Sequence, residues 1–106
     1  MKYVIRPDAK DDIIRQFRYY LLADALEAAT RFLDAVDESI SQLCRMPESG
    51  APKRLKNPLL AGLRSWPVKG FEQVRIYYIV EDKVLRVVRV LHGRRDIRAI
   101  LEHTPE

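Results

Sequence analysis

The sequence predicts an α+β fold: an N-terminal strand and a helical hairpin packed on a small, mostly antiparallel sheet, with a short C-terminal helix. Two observations carry this expectation. The first half repeats apolar residues at intervals of three and four, the period of a helix face. The stretches 71–80 and 84–91 are instead dense in β-branched and aromatic residues, the composition of strands. The 106 residues suit one domain, 1–106, built around a core of two layers.

Tyr3-Val4-Ile5 reads as a short strand, stopped by Pro7, which has no backbone donor. Asp8 and Asp11 then mark a helix start, with Asp8 as the N-cap. Ile13, Ile14, Phe17 and Leu21 follow at helical spacing, giving a first helix over residues 8–20. Asp24 and Glu27 have the spacing of a capping box for a second helix over residues 25–45. Its apolar stripe is Leu26, Ala29, Leu33, Val36, Ile40 and Leu43, widened by Phe32. Leu33, Val36 and Ile40 are expected against the sheet, with Leu33→Ala costing about 2–5 kcal/mol. Pro47 disfavours helix in the residue before it and so ends the helix near Arg45 or Met46.

Residues 47–52 carry turn chemistry, and the segment to Gly62 reads as a basic loop with Lys53, Arg54 and Lys56. Residues 63–68 form a strand that Pro67 assigns to a sheet edge. Lys69-Gly70 turns the chain into the hairpin 71–80 and 84–91. A two-residue loop at Asp82-Lys83 pairs Val80 with Leu85 and Ile76 with Arg89. A three-residue loop would set Arg75 opposite Arg89, an unfavourable pairing of like charges. With the two-residue loop, Val74, Ile76, Tyr78, Val80, Leu85, Val87 and Leu91 face the helices, with Arg89 as the exception. Gln73, Arg75, Tyr77, Ile79, Arg86, Val88 and Val90 take the other face. Residues 95–102 supply the last helix through Ile97, Ile100 and Leu101. Pattern alone leaves open which edge the first strand joins.

Nineteen Lys and Arg against fifteen Asp and Glu give a net charge of +4. This admits an acidic partner or a nucleic acid and demands neither. Acidic residues gather before residue 39, whereas 53–98 is basic, so two electrostatic faces are expected. No apolar run is long enough for a membrane span, and no secretory leader is recognisable. Cys44 is the single cysteine, which excludes an internal disulfide and fits a reducing cytoplasm. His92 and His103 lack ligand spacing, so neither a metal nor a cofactor is expected.

Arg75, Arg86 and Tyr77 on the face away from the helices suit phosphate, because guanidinium forks match its oxygens. Strand arginines on an open face are equally accounted for as solvated charges. His92, where the last strand meets Gly93, has the chemistry of an acid or base near neutral pH. No neighbouring carboxylate in sequence orients it. Cys44 and Trp66 read first as packing residues.

Three ordered segments carry a resemblance: residues 63–72 (Leu-Arg-Ser-Trp-Pro-Val-Lys-Gly-Phe-Glu), Val74-Arg75-Ile76-Tyr77-Tyr78, and residues 89–96 (Arg-Val-Leu-His-Gly-Arg-Arg-Asp). Together they resemble the C-terminal half of ParE-type toxins of the RelE/ParE superfamily. The front half agrees in layout, so the resemblance spans nearly the whole chain. It implies a toxin of a type II toxin–antitoxin system. RelE-like members of that superfamily are ribosome-dependent mRNA endonucleases, whereas ParE-like members poison DNA gyrase. On the endonuclease pattern, Arg75 and Arg94 fall at basic positions, with Lys53 and Lys56 as loop residues and His92 as a partial replacement for a C-terminal tyrosine. That tyrosine has no counterpart, since none follows Tyr78. The resemblance therefore points to the ParE-like branch, a toxin that acts on gyrase by binding, without catalysis. A RelE-like ribonuclease using Arg75, Arg94 and His92 is the alternative, and an inactive antitoxin-binding relic is a third reading.

The resemblance also implies a ParD-like antitoxin in a hetero-oligomer. An acidic tail is expected along the edge strand at Trp66, flanked by Arg54, Lys56, Arg64 and Lys69. Arg75, Tyr77, Arg86, His92, Arg94 and Arg95 are the residues expected to meet the target.

Overall fold

Helix α1 begins at its proline. In the computed structural model, which describes residues 1–93, 95 and 97–103, β1 spans Lys2–Ile5 and α1 spans Pro7–Leu22. Pro7 occupies the first helical turn, where its fixed φ is already helical and its missing N–H is no loss. The N-cap is therefore Arg6, and Asp8 lies in the first turn, where its charge suits the helix dipole. The expected Asp8 cap is not made.

The connection to α2, Leu26–Arg45, is tighter than a capping box allows. Asp24 adopts φ 57, and the N–H groups of Asp24 and Ala25 donate to the carbonyls of Leu21 and Tyr20 at 3.0 and 2.9 Å. Ala25 becomes the N-cap and makes no side-chain cap. The turn closes through backbone bonds that the side-chain pattern does not encode.

The remaining elements are β2 (Ala51–Pro52), a 3₁₀ turn (Pro58–Leu60), β3 (Arg64–Val68), β4 (Phe71–Glu81), β5 (Val84–His92) and α3 (Ile97–Glu102). The sheet runs β1-β5-β4-β3-β2. β1 lies parallel to β5, with Tyr3 beside Leu85, and the other pairs are antiparallel. This resolves the placement of β1. The segment 47–62 is more structured than a loop, because Ala51 and Pro52 pair with Ser65 and Arg64. β3 is thus covered along its first half, and only its second half, with Trp66 and Pro67, is a sheet edge. The Tyr78 hydroxyl donates to the Pro47 carbonyl at 2.7 Å and accepts from the Gly50 N–H at 2.9 Å, fastening this segment to β4. Gly50 is required there, since a Cβ would overlap the Tyr78 ring and lie 2.9 Å from the Ser65 carbonyl oxygen.

The β4–β5 loop has two residues, Asp82 and Lys83, both at positive φ, as a tight hairpin of right-handed twist demands. Val80 faces Leu85 and Tyr78 faces Val87, as the pattern predicts. Then the register slips: Tyr77 pairs with Arg89 and Ile76 with Val90, leaving Val88 as a bulge. Ile76 is not opposite Arg89. The extra residue exchanges the ends of β5, so Val90 joins the helix-side core and Leu91 joins the opposite one.

Two cores sandwich the sheet. On the helix side, Phe32, Val36, Ile40 and Leu43 of α2 meet Ile76, Tyr78, Leu85 and Val87. On the other side, Leu60, Leu63 and Leu101 cover Tyr77, Ile79, Val88 and Leu91. The face expected to be an open arginine surface is therefore mostly roofed by the 53–63 segment and α3. Leu26 and Leu33 turn outward, and the inward stripe of α2 is Ala29, Phe32, Val36, Ile40 and Leu43. Phe32 displaces Leu33 because its ring closes an aromatic cluster with Tyr20 and Phe71, at centroid distances of 5.7 and 5.4 Å. Phe32→Ala should therefore cost about 3–5 kcal/mol of stability, the usual range for a buried ring. Leu33→Ala should cost less than about 1 kcal/mol, as a surface change does. Urea denaturation of both variants checks the assignment, which equal losses would overturn.

Candidate functional site

The bulge in β5 has a partner on α1. Asp12, only 4% exposed, receives Arg89 through two parallel bonds, Nε at 2.7 Å and Nη2 at 2.8 Å. The Val90 N–H donates to the same carboxylate at 3.0 Å. The polar group left by the slipped register is thus satisfied by a side chain from the crossing helix. Hydrogen bonding to Asp12 holds the Arg89 pKa above its already high ordinary value, against the cost of burial. The pair is a fixed strut between helix and sheet. Neither residue was expected to form it, although a lone arginine among apolar neighbours on a strand is the sequence signal of such a partner.

Two of the concavities on the surface gather the expected site residues. The first is a groove of about 810 Å³ between α1 and the start of β4. Tyr19, Tyr20, Phe71 and Val74 line it, with Arg15, His92 and Arg95 among its charged or polar residues. Tyr19 is 64% exposed, so its ring lies at the surface, edge-on to Tyr20, rather than in the core. Among the described residues, Glu72 is the one carboxylate on the lining, and it accepts the Gly70 N–H at 2.6 Å.

The second concavity is a cleft of about 400 Å³ on the opposite face. Lys53, Arg54, Arg75 and Arg98 line it, with Tyr77 and Leu101. Among the described residues, no acidic one belongs to its lining. Arg75 is half-buried and held by Ser65 Oγ, which accepts from Nε at 3.2 Å and from Nη2 at 3.0 Å. Burial raises the Tyr77 pKa, more than the Arg75 charge lowers it, so its hydroxyl stays protonated near neutral pH. The roof is held in place from α3. The Glu102 carboxylate accepts the N–H groups of Lys56 and Asn57 at 3.2 and 2.9 Å.

The expected site residues divide between these regions. Arg75 and Tyr77 belong to the cleft, whereas His92 and Arg95 belong to the groove. His92 pairs with Val74 of the helix-side core, while Arg75 pairs with Leu91 of the other core. Arg75 and His92 therefore point to opposite faces of the sheet. Arg86 lies apart, 3.8 Å from Glu81. Arg94 lies outside the described residues. The five residues expected along an edge strand also separate. Trp66 packs on the helix-side core, and Lys69 faces Glu38 of α2 at 3.4 Å. Arg64 is engaged with the carbonyls of Glu48 and Gly50 at 3.1 and 2.7 Å. Arg54 lines the cleft on the other face, with Lys56 in the adjoining segment. Arg98 was missed because nothing in a short amphipathic helix marks its exposed charge as part of a concavity.

Among the described residues, no group of three or more His, Cys, Asp or Glu could hold a metal ion. No helix among them is long and apolar enough to cross a membrane.

Comparison with known proteins agrees with the architecture. The profile of the ParE toxin of the type II toxin–antitoxin system, parDE, matches residues 3–97. The chain belongs to the ParE toxin family. A chain of the chromosomal ParDE system from P. aeruginosa superposes with a TM-score of 0.70 at 17% identity, covering 87% of this chain and 95% of that one. A chain of the YoeB–YefM toxin–antitoxin complex from Staphylococcus aureus has a TM-score of 0.53 at 18% identity, with the same coverage of 87% and 95%. These two likenesses concern the fold. A comparison with curated proteins gives no match.

The strut yields a test. Asp12→Ala leaves Arg89 buried without its counter-charge and Val90 without an acceptor, and should cost about 3–5 kcal/mol. Replacing both, Asp12→Ala with Arg89→Met, should cost clearly less than the two single losses combined. A double-mutant cycle by urea denaturation measures this, and simple additivity would refute the coupling.

Proposed function

We propose that this ParE-family toxin arrests growth by binding DNA gyrase, stabilising its cleaved-DNA state, and is held inactive by a ParD-like antitoxin. Family membership supplies the toxin and its system. The observation that favours binding over catalysis is the separation of Arg75 and His92. A ribonuclease built on these two residues needs the base and the phosphate-stabilising cation at one reacting atom. Here the sheet lies between them. A gyrase target also places the protein in the cytoplasm.

Induction of the toxin without antitoxin is the direct experiment. The expected result is cleaved and relaxed plasmid DNA with a DNA-damage response and intact mRNA. Growth arrest with normal topology and extensively cut mRNA would sink the proposal in favour of a ribonuclease. No effect on growth would identify an inactive relic.

The antitoxin's seat is the groove beside α1. Its aromatic walls offer apolar anchors, and Arg15 and Arg95 complement an acidic segment. Continuity with the Lys69–Gly70 turn keeps Lys69 near its rim, whereas Trp66 belongs to the fold. Tyr19→Ala should speed antitoxin dissociation about tenfold or more, a loss of about 1.4 kcal/mol or greater. Its thermal melt should stay near wild type, while Trp66→Ala lowers the melt. Wild-type dissociation for Tyr19→Ala would move the interface elsewhere.

A further inference from the structure

We propose that the cleft lined by Lys53, Arg54, Arg75 and Arg98 binds the phosphodiester backbone of a nucleic acid. Three separate parts of the chain bring these cations together: the segment after β2, the middle of β4, and α3. Like charges repel, so gathering four of them, with no carboxylate among the described lining residues, costs stability that an external anion recovers. One of the four is positioned. Arg75 is half-buried, and the fully buried Ser65 hydroxyl orients its guanidinium. Lys53, Arg54 and Arg98 are exposed around it and can follow a chain of charges. The Tyr77 hydroxyl is a neutral hydrogen-bond donor on the same lining.

The surroundings favour a polynucleotide over an acidic peptide. Peptide affinity comes mainly from apolar anchors sunk into pockets. Among the apolar members of this lining, Tyr77 and Leu101 are buried in the protein's own core, Leu55 and Ile97 pack against it, and Pro52 is exposed. The four cations are the feature that singles this cleft out, and neutralised phosphates dominate the affinity of proteins for nucleic acids. Among the described residues, the lining holds no histidine or carboxylate, and His92 is on the other face. DNA held by a topoisomerase and a transcript on a ribosome present the same backbone chemistry. The inference stands independently of the gyrase proposal.

Fluorescence anisotropy with labelled single-stranded DNA and RNA oligonucleotides of one sequence tests it. The expected result is binding that weakens on the order of ten- to hundredfold between 50 and 200 mM salt, the slope of about three to four phosphate contacts. Lys53→Glu/Arg54→Glu and, separately, Arg98→Glu should each weaken binding about tenfold or more. Lys10→Glu/Arg18→Glu, the same charge change as the first variant but placed on α1, should alter it less than about threefold. Preference between the DNA and RNA arms identifies the source, and either preference supports the site. Absence of binding at low salt, or an equal loss in the α1 control, overturns the inference. So does capture of a polyglutamate peptide, lost in the cleft variants, when the oligonucleotides fail to bind. Normal plasmid topology with intact oligonucleotide binding would count against gyrase alone, and the reverse against the cleft alone.

Discussion

The bond between Asp12 and Arg89 fixes where everything else lies. β5 has β1 along only its first half, ending where the Arg6 N–H meets the Val87 carbonyl at 3.0 Å. Beyond that point the strand bulges, and α1 crosses it. An apolar crossing would leave the Val90 N–H unsatisfied at a buried position. A carboxylate there accepts it together with the arginine fork, so register, helix position and charge are set by one group. Such a pair contributes more to specificity of arrangement here than to net stability, because desolvating two charges offsets much of their attraction. Its effect is geometric. With α1 pinned to β5, the groove between α1 and β4 has fixed walls.

The bulge has a second effect. By exchanging the faces of Val90 and Leu91, it gives the second core a large side chain at the end of β5. Leu91 and Leu101 meet there, and α3 is held over the sheet. The anchoring of α3 by Glu102 to the 56–57 backbone completes the roof. The basic cleft lies at the border of that roof, so its existence depends on a single inserted residue in a distant strand ladder. One polypeptide thereby offers an aromatic groove on one side and a cationic cleft on the other.

Periodicity made the helices and the central hairpin legible, because local spacing determines which residues a helix or strand can bury. The two-residue turn at Asp82-Lys83 was legible for the same reason. The family resemblance rested on ordered segments of β3, β4 and β5, and the profile match spans them. What could not be read were features set by backbone closure or by contacts distant in sequence. The Asp24 turn uses main-chain bonds. The choice of Phe32 over Leu33 depends on Phe71, 39 positions away in the chain. The bulge at Val88 leaves no mark in an alternating pattern, and from it followed the misplaced Val90 and Leu91. Candidate cations were named individually, but their division between faces needed the covering of the sheet. That covering came from a segment that reads as loop.

The parallel pairing of β1 with β5 joins the two ends of the fold, with Tyr3 against Leu85, and Asp12 waits for an arginine 77 positions later. Contacts of such long sequence separation form late, after the intervening chain has been made. A nascent chain that stops before β5 has no neighbour for its first strand and no counter-charge for Asp12. Premature termination thus yields no partially armed fragment. The molecule becomes capable of harm only when its last strand is in place, which confines the interval that a partner must guard to the finished polypeptide.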